Sequence, residues 1–137
     1  MDISDLIGQP FDEYGLNGYN CYSLCQEVYK RAGIRLPSWN WVADLSLRSE
    51  TIKNAKRLFI ELSEPEPYCL VVFKLHPRFC THIGIMLDRL HFLHVMKKRN
   101  VCLERIDNPY WQKRIDGYYK YGTNLRATGS PKSVRPS

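Results

Sequence analysis

Residues 21 to 32 constrain this chain most, because Cys21, Leu24, Cys25, Val28, Tyr29 and Ala32 recur there at the spacing of one helix face. Such a stripe predicts a buried amphipathic helix. Asn20 is a favourable N-cap for it, and Gly33 stands where left-handed backbone ends a helix. Cys21 then falls on the first turn. A second helix is predicted from about 49 to 62, with Ile52, Ala55, Leu58, Phe59 and Leu62 on one stripe and Pro65 and Pro67 as terminators.

After residue 67 the pattern changes to strands. Residues 68–75 form a near-continuous apolar run, as in a central strand covered on both faces. Segments 82–87, 92–96, 101–106 and 115–121 follow at short intervals and predict a meander. Pro109 suits the first position of a short helical turn between the last two. Helices first and strands later is the pattern of an α+β domain, here a helix packed on a central antiparallel meander. The 137 residues have room for one such domain, residues 1–121. Residues 122–137 carry two prolines, two glycines and almost nothing apolar, and are predicted to be a disordered basic tail.

The amino terminus lacks the basic and apolar regions of a signal peptide and no 18-residue apolar run exists, so synthesis in the cytoplasm and no membrane span are expected. The five cysteines are then expected to be reduced thiols. The net charge of +6 favours an anionic partner, whether nucleic acid, a membrane surface or an acidic polymer such as a cell wall. Lys97-Lys98-Arg99 reads as an exposed hairpin turn. No RNA- or DNA-binding motif accompanies it, so nucleic acid is not the expected partner.

A thiolate is the useful form of a cysteine nucleophile, and the positive end of a helix dipole lowers a thiol pKa. Cys21 is placed for that effect, although a helix-starting cysteine can equally be a first core residue. In Thr81-His82-Ile83-Gly84-Ile85-Met86-Leu87 the aliphatic residues define the core face, and His82 lies on the other face beside Gly84. If the next turn is an odd loop centred on Asp88, His94 lies directly opposite His82 on the neighbouring strand. A two-residue turn would put the two histidines on opposite faces. Paired imidazoles allow one to act on the thiol while the other orients it; the alternative is two strand histidines with ordinary hydrogen-bond partners.

Cys80, His82, His91 and His94 are potential metal ligands but match no standard zinc spacing, so neither a metal nor another cofactor is expected. Cys25, Cys69 and Cys102 read as core residues. Trp39, Trp41, Tyr110, Trp111, Tyr118 and Tyr119 read as packing residues.

Together, Gly18-Tyr19-Asn20-Cys21-Tyr22-Ser23-Leu24, His82-Ile83-Gly84-Ile85 and Phe92-Leu93-His94-Val95 resemble the NlpC family of papain-like cysteine peptidases, in order and in the 12-residue step between the histidines. The resemblance runs from about residue 7 to residue 121. Ile7-Gly8-Gln9-Pro10-Phe11, the segment from Glu27 to Pro37 and the closing segment from Asp107 are similar to stand-alone members encoded with bacteriophage tail genes. The resemblance implies Cys21 as nucleophile, His82 as general base and acid, and His94 as its orienting partner. It also implies Tyr14 as an oxyanion-binding tyrosine, with Phe11 as the alternative occupant of that place. Three positions depart from the pattern: Asn20 for an aspartate, Ser23 for a glycine that would leave the substrate groove wider, and Tyr68-Cys69 for Gly-Asp.

The implied substrate is peptidoglycan or its fragments, typically the stem-peptide bond between D-glutamate and the diamino acid. The implied setting is a virion whose tail proteins help it penetrate the wall. An amidase or acyltransferase on the same fold, or a non-enzymatic tail component, are the competing readings.

Overall fold

The computed structural model describes residues 1–38 and 42–122. The expected anchors Trp39 and Trp41 and the expected tail from residue 123 lie outside the described residues.

Helix α1 spans Cys21–Arg31 and starts where the sequence predicts. The Asn20 side chain accepts the Tyr22 and Ser23 amides, and Ser23 Oγ returns the bond to the Asn20 amide at 2.9 Å, which completes a capping box. Gly33 follows with φ +81°. Leu24, Cys25 and Val28 are wholly buried along the stripe; each large apolar side chain so buried contributes roughly 1.5–3 kcal/mol.

The second helix departs from expectation. Helix α2 spans Leu45–Ala55, capped by Asp44, whose side chain accepts the Leu47 amide. A 3-10 turn, Lys56–Leu58, then leads into strand β1, Phe59–Leu62. The predicted stripe merged two elements because Phe59 and Leu62 fit a helix period by chance. In the fold they pair with Tyr121 and Tyr118, while Leu58 is exposed.

The remaining strands are β2 (Leu70–Phe73), β3 (His82–Met86), β4 (His91–Met96) and β5 (Arg99–Arg105), followed by the short helix α3 (Pro109–Gln112) and β6 (Ile115–Tyr121). Lys97 and Lys98 form the β4–β5 turn, and Pro109 opens α3, both as predicted. The sheet order is β1-β6-β2-β3-β4-β5, with every pairing antiparallel. β2 to β5 form the expected meander. β6 does not extend it but returns to pair with β2, because Asp107 to Gln112 carries the chain back across the sheet and Trp111 is buried there.

The two faces of the sheet bury different sets of residues. Val72, Ile83, Ile85, Leu93, Val95 and Val101 pack with α1, and Cys69, Val71, Phe73, Met86, Phe92 and Ile106 pack with Trp111. Cys25 and Cys69 are therefore core residues as expected, while Cys102 is half-buried.

The amino-terminal segment closes one sheet edge. The Gly8 amide donates to the Val101 carbonyl and the Val101 amide to the Gln9 carbonyl, each at 2.8 Å. Pro10 and Asp12 then bond to Tyr19, on the approach to Cys21. A Cβ on Gly18 would lie 2.2 Å from the Pro10 carbonyl oxygen, so only glycine permits this crossing. Gly18→Ala is expected to lower stability by about 1–3 kcal/mol, since the backbone must shift to admit the methyl group. A fall in the urea midpoint with an unchanged m-value checks it.

Candidate active site

Cys21 and His82 reach a common cleft of about 430 Å³ at one end of the sheet. The capping box sets Cys21 at the first position of α1, on the side of the sheet that carries Ile83. The backbone amides of Ile83, Cys21 and Tyr22 lie near enough to its sulfur to favour the thiolate. His82 comes from the first residue of β3 and stacks on Phe73 with ring centroids 5.5 Å apart. Phe11, Glu13, Arg48, His76 and Lys97 line the rest of the cleft.

The turn between β3 and β4 is an odd loop, as the pairing of two histidines on one face requires. Leu87 donates to the His91 carbonyl at 2.9 Å, and Asp88 Oδ1 accepts the Leu90 and His91 amides at 2.7 Å each. The register differs from expectation by two residues. Ile85 pairs with Leu93 and Met86 with Phe92, so the loop is centred on Arg89 and His82 is diagonal to His94 rather than directly opposite it. Continuing that register sets Gly84 opposite His94, and a Cβ on Gly84 would lie 3.4 Å from the His94 Cβ. The missing side chain opens the diagonal, and His82 Nε2 reaches to 2.9 Å from His94 Nδ1. His82 Nδ1 takes no part in that contact.

The hydrogen bonding continues past His94 to residues that sequence reasoning did not single out for chemistry. His94 Nε2 lies 2.5 Å from Glu104 Oε2 on β5, and Trp111 Nε1 donates to Glu104 Oε1 at 3.0 Å. Arg99 Nη1 is 3.3 Å from Glu104 Oε2. Trp111 also meets the His94 ring edge-on, with centroids 5.0 Å apart. The available signal for Glu104 was strand parity, because it shares a face with Cys102, the partner of His94. For Trp111 there was no signal beyond its size.

The remaining expected site residues are placed elsewhere. Tyr14 is 64% exposed and is not among the cleft-lining residues, whereas Phe11 is. Ser23 is used in the helix cap. Among the expected metal candidates only His94 joins a ligand-like group, with Cys102 and Glu104, whose donor atoms lie within 4.8 Å of one another. Its His94 and Glu104 atoms are already hydrogen-bonded to each other.

Tyr68, at a departure from the resembled pattern, takes φ 66° where glycine carries no cost, and the Tyr29 hydroxyl donates to its carbonyl.

Burial sets the electrostatics of the site. It pushes the Cys21 thiol up to about 11, against the amides of Ile83, Cys21 and Tyr22 and the charge of Arg48. The expected lowering by the helix dipole is overridden. Burial also holds His82 well below the ordinary histidine value, helped by His94 and Arg48. His94 is lowered by burial as well, although Glu104 opposes the shift. Glu104 ends below its ordinary value because hydrogen bonds from Trp111 and His94 overcome its own burial. The site therefore rests near neutral pH with a neutral thiol, neutral imidazoles and an ionised carboxylate.

Sequence comparison now fixes the class: residues 8–120 match the model of the NlpC/P60 family, and the chain belongs to that family. No curated protein matches it. Among solved structures, it is similar to a lipoprotein-like NLP/P60 family protein from Staphylococcus aureus, with TM-score 0.63 and 23% identity over 88% of this chain and 39% of that one. An NlpC/P60 family protein from Bacillus cereus gives TM-score 0.63 and 18% identity, covering 85% of this chain and 36% of the other. The chain thus spans under two fifths of the length of these solved relatives, and the likeness shows the α+β fold. Among the described residues, no helix is long and apolar enough to cross a membrane.

Depressed histidines make stability depend on pH. Between the folded value and the ordinary 6.5, the unfolded chain binds protons at His82 and His94 that the folded chain does not. Stability is then full above about pH 6.5 and falls as the pH drops below it. Urea midpoints are expected to decrease from pH 7 to pH 5, with a shallower decrease in His82→Gln, as denaturation followed by circular dichroism would show.

Proposed function

We propose that the chain is a thiol peptidase that cleaves an amide bond in peptidoglycan stem peptides. The observation that carries this reading is a thiol and an imidazole lining one cleft, with the imidazole held from behind by a second histidine. Membership of the NlpC/P60 family supports a cell-wall peptide as substrate. The net charge of +6 suits an anionic wall.

In the proposed reaction the Cys21 proton moves to His82 Nδ1 as the sulfur attacks the scissile carbonyl. Because Asn20 takes the Tyr22 and Ser23 amides, the Cys21 amide is the donor left at the helix start for the developing oxyanion. His82 returns its proton to the leaving amine, which departs and leaves a thioester on Cys21. Water, deprotonated by His82, then releases the acid and restores the thiol.

Within this reading the bond is that between D-glutamate and the diamino acid, and the setting is penetration of the wall by a phage tail. The bond rests on the resemblance to the NlpC family, and the setting on the segments similar to its tail-associated members.

Incubation with purified wall fragments, followed by mass spectrometry, tests the proposal. Stem-peptide pieces are expected from the unmodified chain and are expected to be lost in Cys21→Ala and His82→Ala, with rates down by at least about 1000-fold. Turnover of a small amide or a lipid ester without release of stem-peptide pieces would support the amidase or acyltransferase reading instead.

A further inference from the structure

We propose that Glu104 is a positioning residue, whose carboxylate acts through His94 to hold His82 in the tautomer able to take the Cys21 proton. This rests on the peptidase reading above and adds to it a residue on β5, in a segment outside the motifs that carry Cys21, His82 and His94.

The donors and acceptors along the relay fix its direction. Glu104 Oε1 accepts the Trp111 indole N–H at 3.0 Å, and Oε2 faces Arg99 Nη1 at 3.3 Å. Indole and guanidinium can only donate, so both oxygens act as acceptors and the group is held as a carboxylate. A carboxylate has no hydrogen to give. The 2.5 Å contact between Oε2 and His94 Nε2 therefore requires the hydrogen on His94.

His94 is wholly buried and neutral at pH 7, so a hydrogen on Nε2 leaves its Nδ1 bare. A bare nitrogen only accepts. The 2.9 Å contact then requires the hydrogen on His82 Nε2, which leaves His82 Nδ1 with its lone pair available to the thiol. The direction of the whole relay is set at its far end. Trp111 braces that end twice, by its bond to Glu104 and by its edge-on contact with His94.

Glu104→Gln keeps the shape and removes the second acceptor. Its NH2 group must face either the Trp111 N–H or the His94 N–H, and relief of the second clash reverses both imidazoles. In the unmodified protein, nitrogen NMR of the imidazoles is expected to show Nε2 protonated and Nδ1 bare in both His82 and His94. In Glu104→Gln that pattern is expected to reverse or average. Alkylation of Cys21 by iodoacetamide at pH 7 and kcat on wall fragments are both expected to fall about 10- to 1000-fold, with KM within about twofold, because a wrong tautomer disables the base and spares binding. Retained circular dichroism and thermal midpoint show that the fold is intact.

A hydrogen on His82 Nδ1 in the unmodified protein would overturn the proposal. So would a Glu104→Gln variant with unchanged tautomers and an unchanged alkylation rate. The NMR and alkylation measurements need no substrate. If they come out as expected while wall fragments are left uncut, the relay stands and the peptidase reading fails.

Discussion

The register between β3 and β4 is the constraint on which the site depends. Side chains alternate faces along a strand, so a slip of one residue would turn His94 toward α1 and away from His82, Glu104 and Trp111. Asp88 prevents the slip by holding the Leu90 and His91 amides at 2.7 Å each. Gly84 then lets two side chains meet that are not direct partners in the ladder. One acidic turn residue and one glycine thus place the imidazoles, while the aliphatic residues on the reverse side anchor the same strands to the α1 core.

Depth in the protein matters as much as register. A helix start favours a thiolate by roughly 0.3–1 kcal/mol, and up to about 2 when partly buried. Raising the thiol from 9.0 to about 11 corresponds to about 3 kcal/mol in the other direction, so desolvation wins over the dipole. In the proposed reaction the proton consequently moves with the attack, and the charged pair exists only while the substrate carbonyl is being consumed. A bare, activated thiolate is not stored.

Much of this arrangement is legible in the sequence, because periodicity reports directly on burial. The α1 stripe, its cap and the alternation in β3 are each consequences of one face meeting the core, and they locate Cys21 and His82. The α2 to β1 stretch misleads because the three-residue step from Phe59 to Leu62 fits a helix stripe, whereas in the strand the two point to opposite faces, pack on different cores and pair with Tyr121 and Tyr118. The exact partner of His82 depends on where a turn is centred, which Asp88 settles through side-chain bonds that no hydropathy pattern encodes. Glu104 looks like an ordinary charged residue of an outer strand. Its meaning arises when β4, β5 and α3 bring His94, Arg99 and Trp111 to it, and those contacts come from tertiary structure alone.

The pairing of Gly8 and Gln9 with Val101 also has a kinetic side. It joins residues roughly ninety positions apart, and it ties β5 to the segment leading into the Pro10–Tyr19 loop, which Tyr19 and Asn20 also hold locally. Contacts of such separation form late, after the intervening chain has been made and ordered. During synthesis, helix α1 can be complete while the segment before it is still untied from β5. A chain halted before residue 101 would carry the thiol and the residues that line its cleft, but not the strand edge to which the amino-terminal segment is tied.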